Sequence, residues 1–562
     1  MLTANMQTVM RSCLFAMAAL VCGMFCASYS FGAQVNRSGA NPGAAGFKVA
    51  GVVVSSTTGT PLRDTRVTLV NTKNRREAVW IITREDGRFE FVGLGAGKYS
   101  LEGARRGYIP AGYEQHEQYS TAIVTGEEFD TQNLRLRLVP MAMLTGRVLD
   151  EYGEGVRDVR VTLYVESHRG GATRVTRTNF AMTDDQGTFE FTPLEPGKYY
   201  LSVNAKPWYA VHPPSLTAEG TANPAVAVDR SLDVAYPATY SGGSTEAEGA
   251  EAIGIKGGDH AQIDIHLRPA QALHLIFHVA DNGEHGFQPP TFQKRSFDAV
   301  EFAPTEGMQQ ISQGIFEMSG IPAGRYSVRM PGNGSEQIAH AEVELKQDGQ
   351  DLDELKGEPA GRVKLSVKLP KDGPPPQQIN VGLQDDQHRM VAFNQLDANA
   401  EATFEDLAAG KYGIYLFVPG KTYSVARLTS GPTQISGHEF NLLSGTSQEW
   451  SVALAEGKTK IEGFVKRGEK AASGVMVVLV PKDPETHQDM FRRDQSDLDG
   501  SFALPDVVPG SYTVVTVEDA WGFDWSKPTL LARYAKHGQA LTIGELIQGA
   551  VHLPEPVEVQ PR

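Results

Sequence analysis

Residues 86–101 read DGRFEFVGLGAGKYSL. Asp86-Gly87 is a turn signal, because glycine tolerates positive φ and an aspartate side chain bonds its own backbone. Phe89 and Phe91 alternate with Glu90, which places the two rings on one face of a strand. Leu94 and Gly97 mark the return, and Tyr99 and Leu101 continue the alternation. The stretch is expected to form a β-hairpin. A tyrosine placed this way at a sheet corner packs its ring in the core and bonds its hydroxyl to backbone. Removing such a ring is expected to cost roughly 3–5 kcal/mol.

The stretch returns four times. The second copy holds Phe189, Phe191 and Tyr199; the third, Phe316 and Tyr326; the fifth, Phe502 and Tyr512. The fourth is worn: Ala400 and Ala402 stand for the glycine and the first phenylalanine, while Phe404 and Tyr412 remain. The step from the glycine position to the tyrosine is 12 in every copy (87 to 99, 187 to 199, 314 to 326, 400 to 412, 500 to 512). Successive tyrosines lie 100, 127, 86 and 100 residues apart. A constant inner step with variable outer steps describes repeated domains with loop insertions, not a solenoid. In chain order the copies are repeats one to five.

These spacings divide the 562 residues into units of ordinary domain size. The expected organisation is a signal peptide over 1–33, a linker over 34–46, and sandwiches over 47–140, 141–270, 271–358, 359–456 and 457–562. The second carries an insertion over 205–258, and the third lacks the glycine-rich opening of the others. The last ends in a tail whose residues Leu541 to Gln548 have mild helical spacing. Each closing strand abuts the next opening strand, as Leu138 does Leu144, and such short joints predict a semi-rigid rod.

The leader has Arg11, an apolar run from Cys13 to Ala27, then Ser30, Gly32 and Ala33. That pattern reads as a secretory signal peptide cleaved near Gly32 or Ala33. The run is shorter than the roughly 20 residues a spanning helix needs. All three cysteines (Cys13, Cys22, Cys26) lie in it, so the mature chain is expected to carry no disulfide despite export. A net charge of −15 argues against nucleic acid and anionic lipid as partners.

Gly-x-Val, then Val-x-Val-x-Leu, then Asp-Gly-x-Phe-x-Phe-x-x-Leu-x-Pro-Gly-x-Tyr-x-Leu resembles the carboxypeptidase regulatory-like domain. The resemblance is good in repeats one, two and five, moderate in four, and confined to the recurring stretch in three. It implies a transthyretin-like, Cna-B-like or immunoglobulin-like Greek-key β-sandwich, hence an all-β chain of five tandem sandwiches. It says little about function, because such modules serve many exported proteins. It also implies a possible Lys–Asn isopeptide crosslink, for which Lys48 and Asn133 are the pair in repeat one.

The residues that carry chemistry elsewhere fall short of it here. His552-Leu-Pro-Glu555 has no second histidine after it, and His116-Glu117 and His438-Glu439 lack the second histidine of a zinc helix. Gly93 to Lys98 has Val92 where a phosphate loop needs its first glycine, and Tyr99 where it needs serine or threonine. Asp184 to Gly187 and Asp497 to Gly500 begin like calcium loops but lack the closing glutamate. His274 and His278 share a strand face with His285 nearby, a weak metal candidate beside the reading as packing residues. No catalytic residue, metal ligand or cofactor is expected.

The candidate ligand contacts are loop aromatics: Trp208, Tyr209, Tyr236, Tyr240, Trp521 and Trp525, with Phe523 between the last two. Such rings either stack on sugars at a sandwich end or plug their own loops against the core. The expectation is a noncatalytic exported spacer, adhesion module or interaction scaffold at a bacterial envelope. Its partners would be envelope proteins or surface glycans, with no transmembrane segment after cleavage and the oligomeric state open. A carbohydrate-binding protein is the first alternative. An accessory subunit or remnant of a peptidase or polysaccharide-processing system is the second.

Overall fold

The computed structural model describes residues 46–213, 230–278, 289–303, 307–312, 314–330, 339–352, 358–370, 373–387 and 389–561. The signal-peptide reading, Arg11 and the three cysteines lie outside these residues, as does His285. Contacts divide the chain into Met1–Gly46 and Phe47–Arg562, and every described strand belongs to the second unit.

The fold is all-β, as expected, but the recurring stretch is not a hairpin. Arg88–Leu94 pairs with the opening strand Phe47–Ser55, with Phe91 opposite Val49 and Phe89 opposite Gly51. Gly97–Ala104 pairs instead with Arg66–Asn71, in another sheet. The same split recurs at Thr188–Leu194 and Gly197–Asn204, Ile315–Pro322 and Gly324–Met330, Glu401–Leu407 and Gly410–Phe417, and Ser501–Val507 and Gly510–Val517. Side-chain parity explains it. A two-residue hairpin loop at 95–96 would set Leu94 opposite Gly97, and so Val92 opposite Tyr99 and Glu90 opposite Leu101. Phe89 and Phe91 would then face away from Tyr99 and Leu101. Passing from one sheet to the other turns the chain over, and all four apolar side chains enter one core.

The tyrosine at this crossover does what its position implies. Each hydroxyl donates to the carbonyl four residues back: Tyr99 to Gly95 (3.1 Å), Tyr199 to Glu195 (2.8 Å), Tyr326 to Pro322 (2.8 Å), Tyr412 to Ala408 (2.6 Å) and Tyr512 to Val508 (2.7 Å). All five rings are buried, as are Phe89, Phe91, Phe189, Phe191, Phe404 and Phe502. Phe316 is half-buried. Five clusters of buried side chains each contain one of these tyrosines.

In repeats one, two, four and five the last strands return parallel to the first. Leu134–Pro140 lies along Phe47–Ser55, and His260–Gln262 and Ile265–His266 along Ala142–Leu149. Ser447–Glu456 lies along Gly361–Lys368, and Gly549–His552 along Thr459–Arg467. The close approach accounts for the glycines in the opening strands: a Cβ at Gly51 would come within 2.2 Å of Leu134 O, and one at Gly146 within 1.8 Å of Ile263 O. In repeat three the parallel return among the described residues is Gln350–Asp351. That sheet takes a strand from the insertion of repeat two instead, with Val234–Ala235 pairing with Ala270–His278.

Two further expectations are corrected. Leu541 to Gln548 does not form a helix: Gln539–Ile543 is a strand beside Gly510–Val517, and the α-helix of repeat five among the described residues is Pro528–Ala535. The repeats also do not follow one another as a rod. The fifth bonds back to the first and the second, through contacts that neither local pattern nor joint length encodes.

Candidate functional site

The strand Met476–Pro481 is buried along its whole length. Val477 and Leu479 enter the core of repeat five, while Met476, Val478 and Val480 face a separate cluster with Val515, Val517, Trp525, Leu531 and Tyr534. Its sheet is covered on both faces, the arrangement that near-continuous apolar strands report. The covering segment, Ala520–Gly522 onward through the helix Pro528–Ala535, also meets repeat two.

The edge strand of this sheet, Arg492–Gln495, meets the loop of repeat one that runs from Glu114 to Ala122. The Gln495 amide donates to Glu114 O (2.7 Å) and to Thr121 Oγ1 (2.8 Å), and its Oε1 lies 2.9 Å from His116 Nδ1. Arg493 Nη2 donates to Glu117 Oε2 at 3.0 Å. Asp497 accepts from Ala122 N (2.9 Å) and from Lys98 Nζ (2.7 Å). Trp521 stacks on His116, with centroids 5.1 Å apart and planes 6° from parallel. Repeat two contributes Gly171, whose carbonyl accepts from Ser526 Oγ at 2.7 Å. Thr173 Oγ1 donates to Asp524 Oδ1 at 2.6 Å. Gly171 has φ +82°, and a Cβ there would lie 2.6 Å from the Trp525 ring. Repeat four reaches the same place through Thr422 Oγ1, which donates to Asp506 at 3.2 Å.

Where these repeats converge they leave a cleft of about 770 Å³, with Tyr119, Arg169, Arg174, Tyr415, Arg492 and Arg493 among its lining side chains. The Arg493 guanidinium lies between two rings, 5.6 Å from the Tyr119 centroid and 5.2 Å from that of Trp525. Burial pushes the nearby Asp494 carboxyl up to about 6 and lowers the Arg492 guanidinium from its ordinary value. Burial also raises the Asp497 carboxyl, against the pull of Lys98.

Of the sequence-derived candidates, Trp525 lines this cleft and the others lie elsewhere. Trp208 stands 88% exposed on repeat two. Its neighbour Tyr209 and the buried Tyr236 both donate to Glu151, and the buried Tyr240 bonds Ser296 of repeat three. Trp525 is 3% exposed, so its ring is no open stacking platform, and Trp521 is half-buried against His116 and Tyr119. Phe523 is half-buried in the outer cluster of repeat five. The carbohydrate-binding alternative needs Trp208, Trp521 and Trp525 exposed along one groove, and only Trp208 is exposed. Apart from Trp208, these rings fill seams and loops, because burying them removes large apolar areas from water.

The polar candidates are engaged structurally. Lys98 lies against Asp497 and Asp499, where a calcium ion would have to sit. Asp184 accepts from Gln186 N and Thr188 N in its turn. His274 is buried, with Nδ1 2.5 Å from Glu317 and Nε2 2.9 Å from Asp233, whose other oxygen is 2.8 Å from His212. With a carboxylate at each ring nitrogen, His274 is an imidazolium and not a metal ligand. Among the described residues no group of three or more His, Cys, Asp or Glu could hold a metal ion. Lys48 pairs with Glu90 (2.5 Å) and Asn133 with Asp130 (2.9 Å), all at least partly exposed. An amide bond between Lys48 and Asn133 needs the two held together in a dry site, and here each has another partner in water.

The seam strand Arg492–Gln495 was missed by the sequence reading. Its one signal is the unbroken Val475-Met-Val-Val-Leu-Val480, where the second strands of repeats one and two carry polar residues at Arg66, Thr68 and Arg160.

Residues 48–138 match the family model of the carboxypeptidase regulatory-like domain. Residues 456–537 match the model of the second beta sandwich domain of the BOS complex subunit NOMO1-like family. No curated protein matches the chain. Among solved structures it is similar to a Streptococcal ancillary pilin, at 13% identity and TM-score 0.19, over 52% of this chain and 100% of that one. It is similar to GBS52, the minor pilin of Streptococcus agalactiae, at 12% identity and TM-score 0.20, over 39% and 95%. It is also similar to BcpA, the major pilin subunit of Bacillus cereus, at 9% identity and TM-score 0.14, over 73% and 99%.

Proposed function

We propose that this chain is an exported, noncatalytic β-sandwich scaffold that presents loop surfaces for adhesion or protein contact at a cell envelope. Its units are proposed to divide near residues 140, 270, 358 and 456. The observation that carries this reading is where the polar side chains go. His116, His168, His274, Asp497 and Asp524 all hold one segment to another across repeats or to the insertion. The regulatory-like match over 48–138 supports it, since that family is known by an appendage domain and not by a catalytic one. The contact of repeat five with repeat one favours a platform over a spacer, because a spacer gains reach only if its ends stay apart.

The export part rests on the leader, and the N-terminal mass of protein secreted from a bacterial host tests it; an intact Met1 would overturn it. The scaffold part is tested by pull-down from envelope extracts with the mature chain. Recovery of no specific partner, together with a bound metal ion at unit stoichiometry, would overturn it. The exposed Trp208 keeps a glycan contact as a second reading, which a glycan array with Trp208→Ala decides.

A further inference from the structure

We infer that the cleft between repeats one, two, four and five binds a small ligand through an oxyanion, either a carboxylate or a sulfate or phosphate ester on a body no larger than one or two rings. This goes beyond the scaffold reading and does not depend on it. The volume of about 770 Å³ lies within the range of small-molecule sites.

The charge at the wall is what points to an anion. The guanidinium of Arg492 makes its hydrogen bonds to the backbone carbonyls of Asp489, Phe491 and Asp506, at 2.7–3.0 Å. Carbonyls satisfy its N–H groups but leave the charge without a counter-ion in contact. A half-buried cation in that position gains when an anion joins it. Beside it Arg493 uses Nη2 on Glu117, while its Nη1 is buried with no hydrogen-bond partner. Trp525 Nε1, in the same wall, is another buried donor without an acceptor. Arg169 stands exposed on the lip contributed by repeat two.

Asp489 and Asp506 attract the Arg492 guanidinium across space, but among the described residues no carboxylate is within ion-pair distance of it. Asp506 accepts from Thr422, and Asp494 accepts from Ala503 N at 2.7 Å. Glu485 is exposed at the rim. The exposed guanidinium of Arg169 matches the planar or tetrahedral oxygens of a bound oxyanion, Arg492 adds its charge, and Tyr119 and Phe491 supply ring surface for the ligand body.

The test uses the mature chain at constant ionic strength, titrated separately with sodium glucuronate, sodium sulfate and inorganic phosphate. Calorimetry and tryptophan fluorescence, reporting from Trp521 and Trp525, are the readouts. The expected result is one-to-one saturation at millimolar concentration or below by at least one probe, weakened roughly tenfold in Arg169→Gln and in Arg492→Gln. Response to glucuronate alone assigns a carboxylated sugar, and response to sulfate or phosphate assigns an ester. Arg169 is exposed, so its variant tests the site even if Arg492→Gln fails to fold. No saturation by any probe below about 20 mM, or saturation unchanged in Arg169→Gln, overturns the inference.

Discussion

The worn fourth repeat yields a prediction whose sign is unusual: Ala400→Gly stabilises the protein. The turn that opens each crossover strand holds Gly87, Gly187, Gly314 and Gly500 at φ between +67° and +78°, and Ala400 at +60°. A Cβ in the left-handed region costs about 1–2 kcal/mol. Removing it loosens the unfolded chain, which returns about 0.4–1 kcal/mol. The net gain is about 0.5–1 kcal/mol. The backbone bonds of the turn, Ala400 N to Asp397 O (3.1 Å) and Val367 N to Ala400 O (2.9 Å), do not depend on the methyl group. A chain of several sandwiches need not melt in one step, so native-state hydrogen exchange is the suitable assay. Protection at Val367 and Ile414 should rise about two- to fivefold, with the other repeats unchanged. Gly187→Ala is the control of opposite sign, because its Cβ would lie 2.4 Å from Val148 O. Unchanged or reduced protection in the fourth repeat of Ala400→Gly would show that the positive φ is not the source of strain.

Three other outcomes rest on the same physics. Tyr199→Phe keeps the ring and removes the bond to Glu195 O, so repeat two should lose about 1 kcal/mol, read by exchange at Leu201. His274→Gln removes the cation between Asp233 and Glu317 and should cost about 3–5 kcal/mol by urea unfolding of the second and third repeats. Burial alone would lower the His274 pKa, but its bonds to Asp233 and Glu317 raise it to about 10. Its contribution is therefore full below pH 6.5 and fades as pH climbs toward 10, a decline that His274→Gln should lack. Asp494→Asn should stabilise the seam by about 1–3 kcal/mol at about pH 7.5 and by nothing at about pH 4. Burial raises the wild-type carboxyl from 3.8 to about 6, so its penalty grows as pH rises between those values and is full above the upper one. Melting curves at the two pH values check it.

The corner tyrosines were legible because one ring does two local jobs, and the twelve-residue step from glycine to tyrosine repeats it in each copy. The split between sheets was not read: the turn residues suggest a hairpin, and the parity of Phe89, Phe91, Tyr99 and Leu101 that argues against a two-residue loop was passed over. The covering of repeat five was written in the unbroken Val475–Val480 run, which says that both faces are buried but not by what.

That partner belongs to tertiary structure. Gln495 meets His116 across 379 residues of sequence, and Lys98 meets Asp497 across 399. Alternation, turn residues and ring spacing act within a strand or between its neighbours, and so the sequence determines the sandwiches. Which sandwich edge meets which loop depends on the summed angles at every joint between them. Only the folded chain decides those, and with them the seam and its cleft.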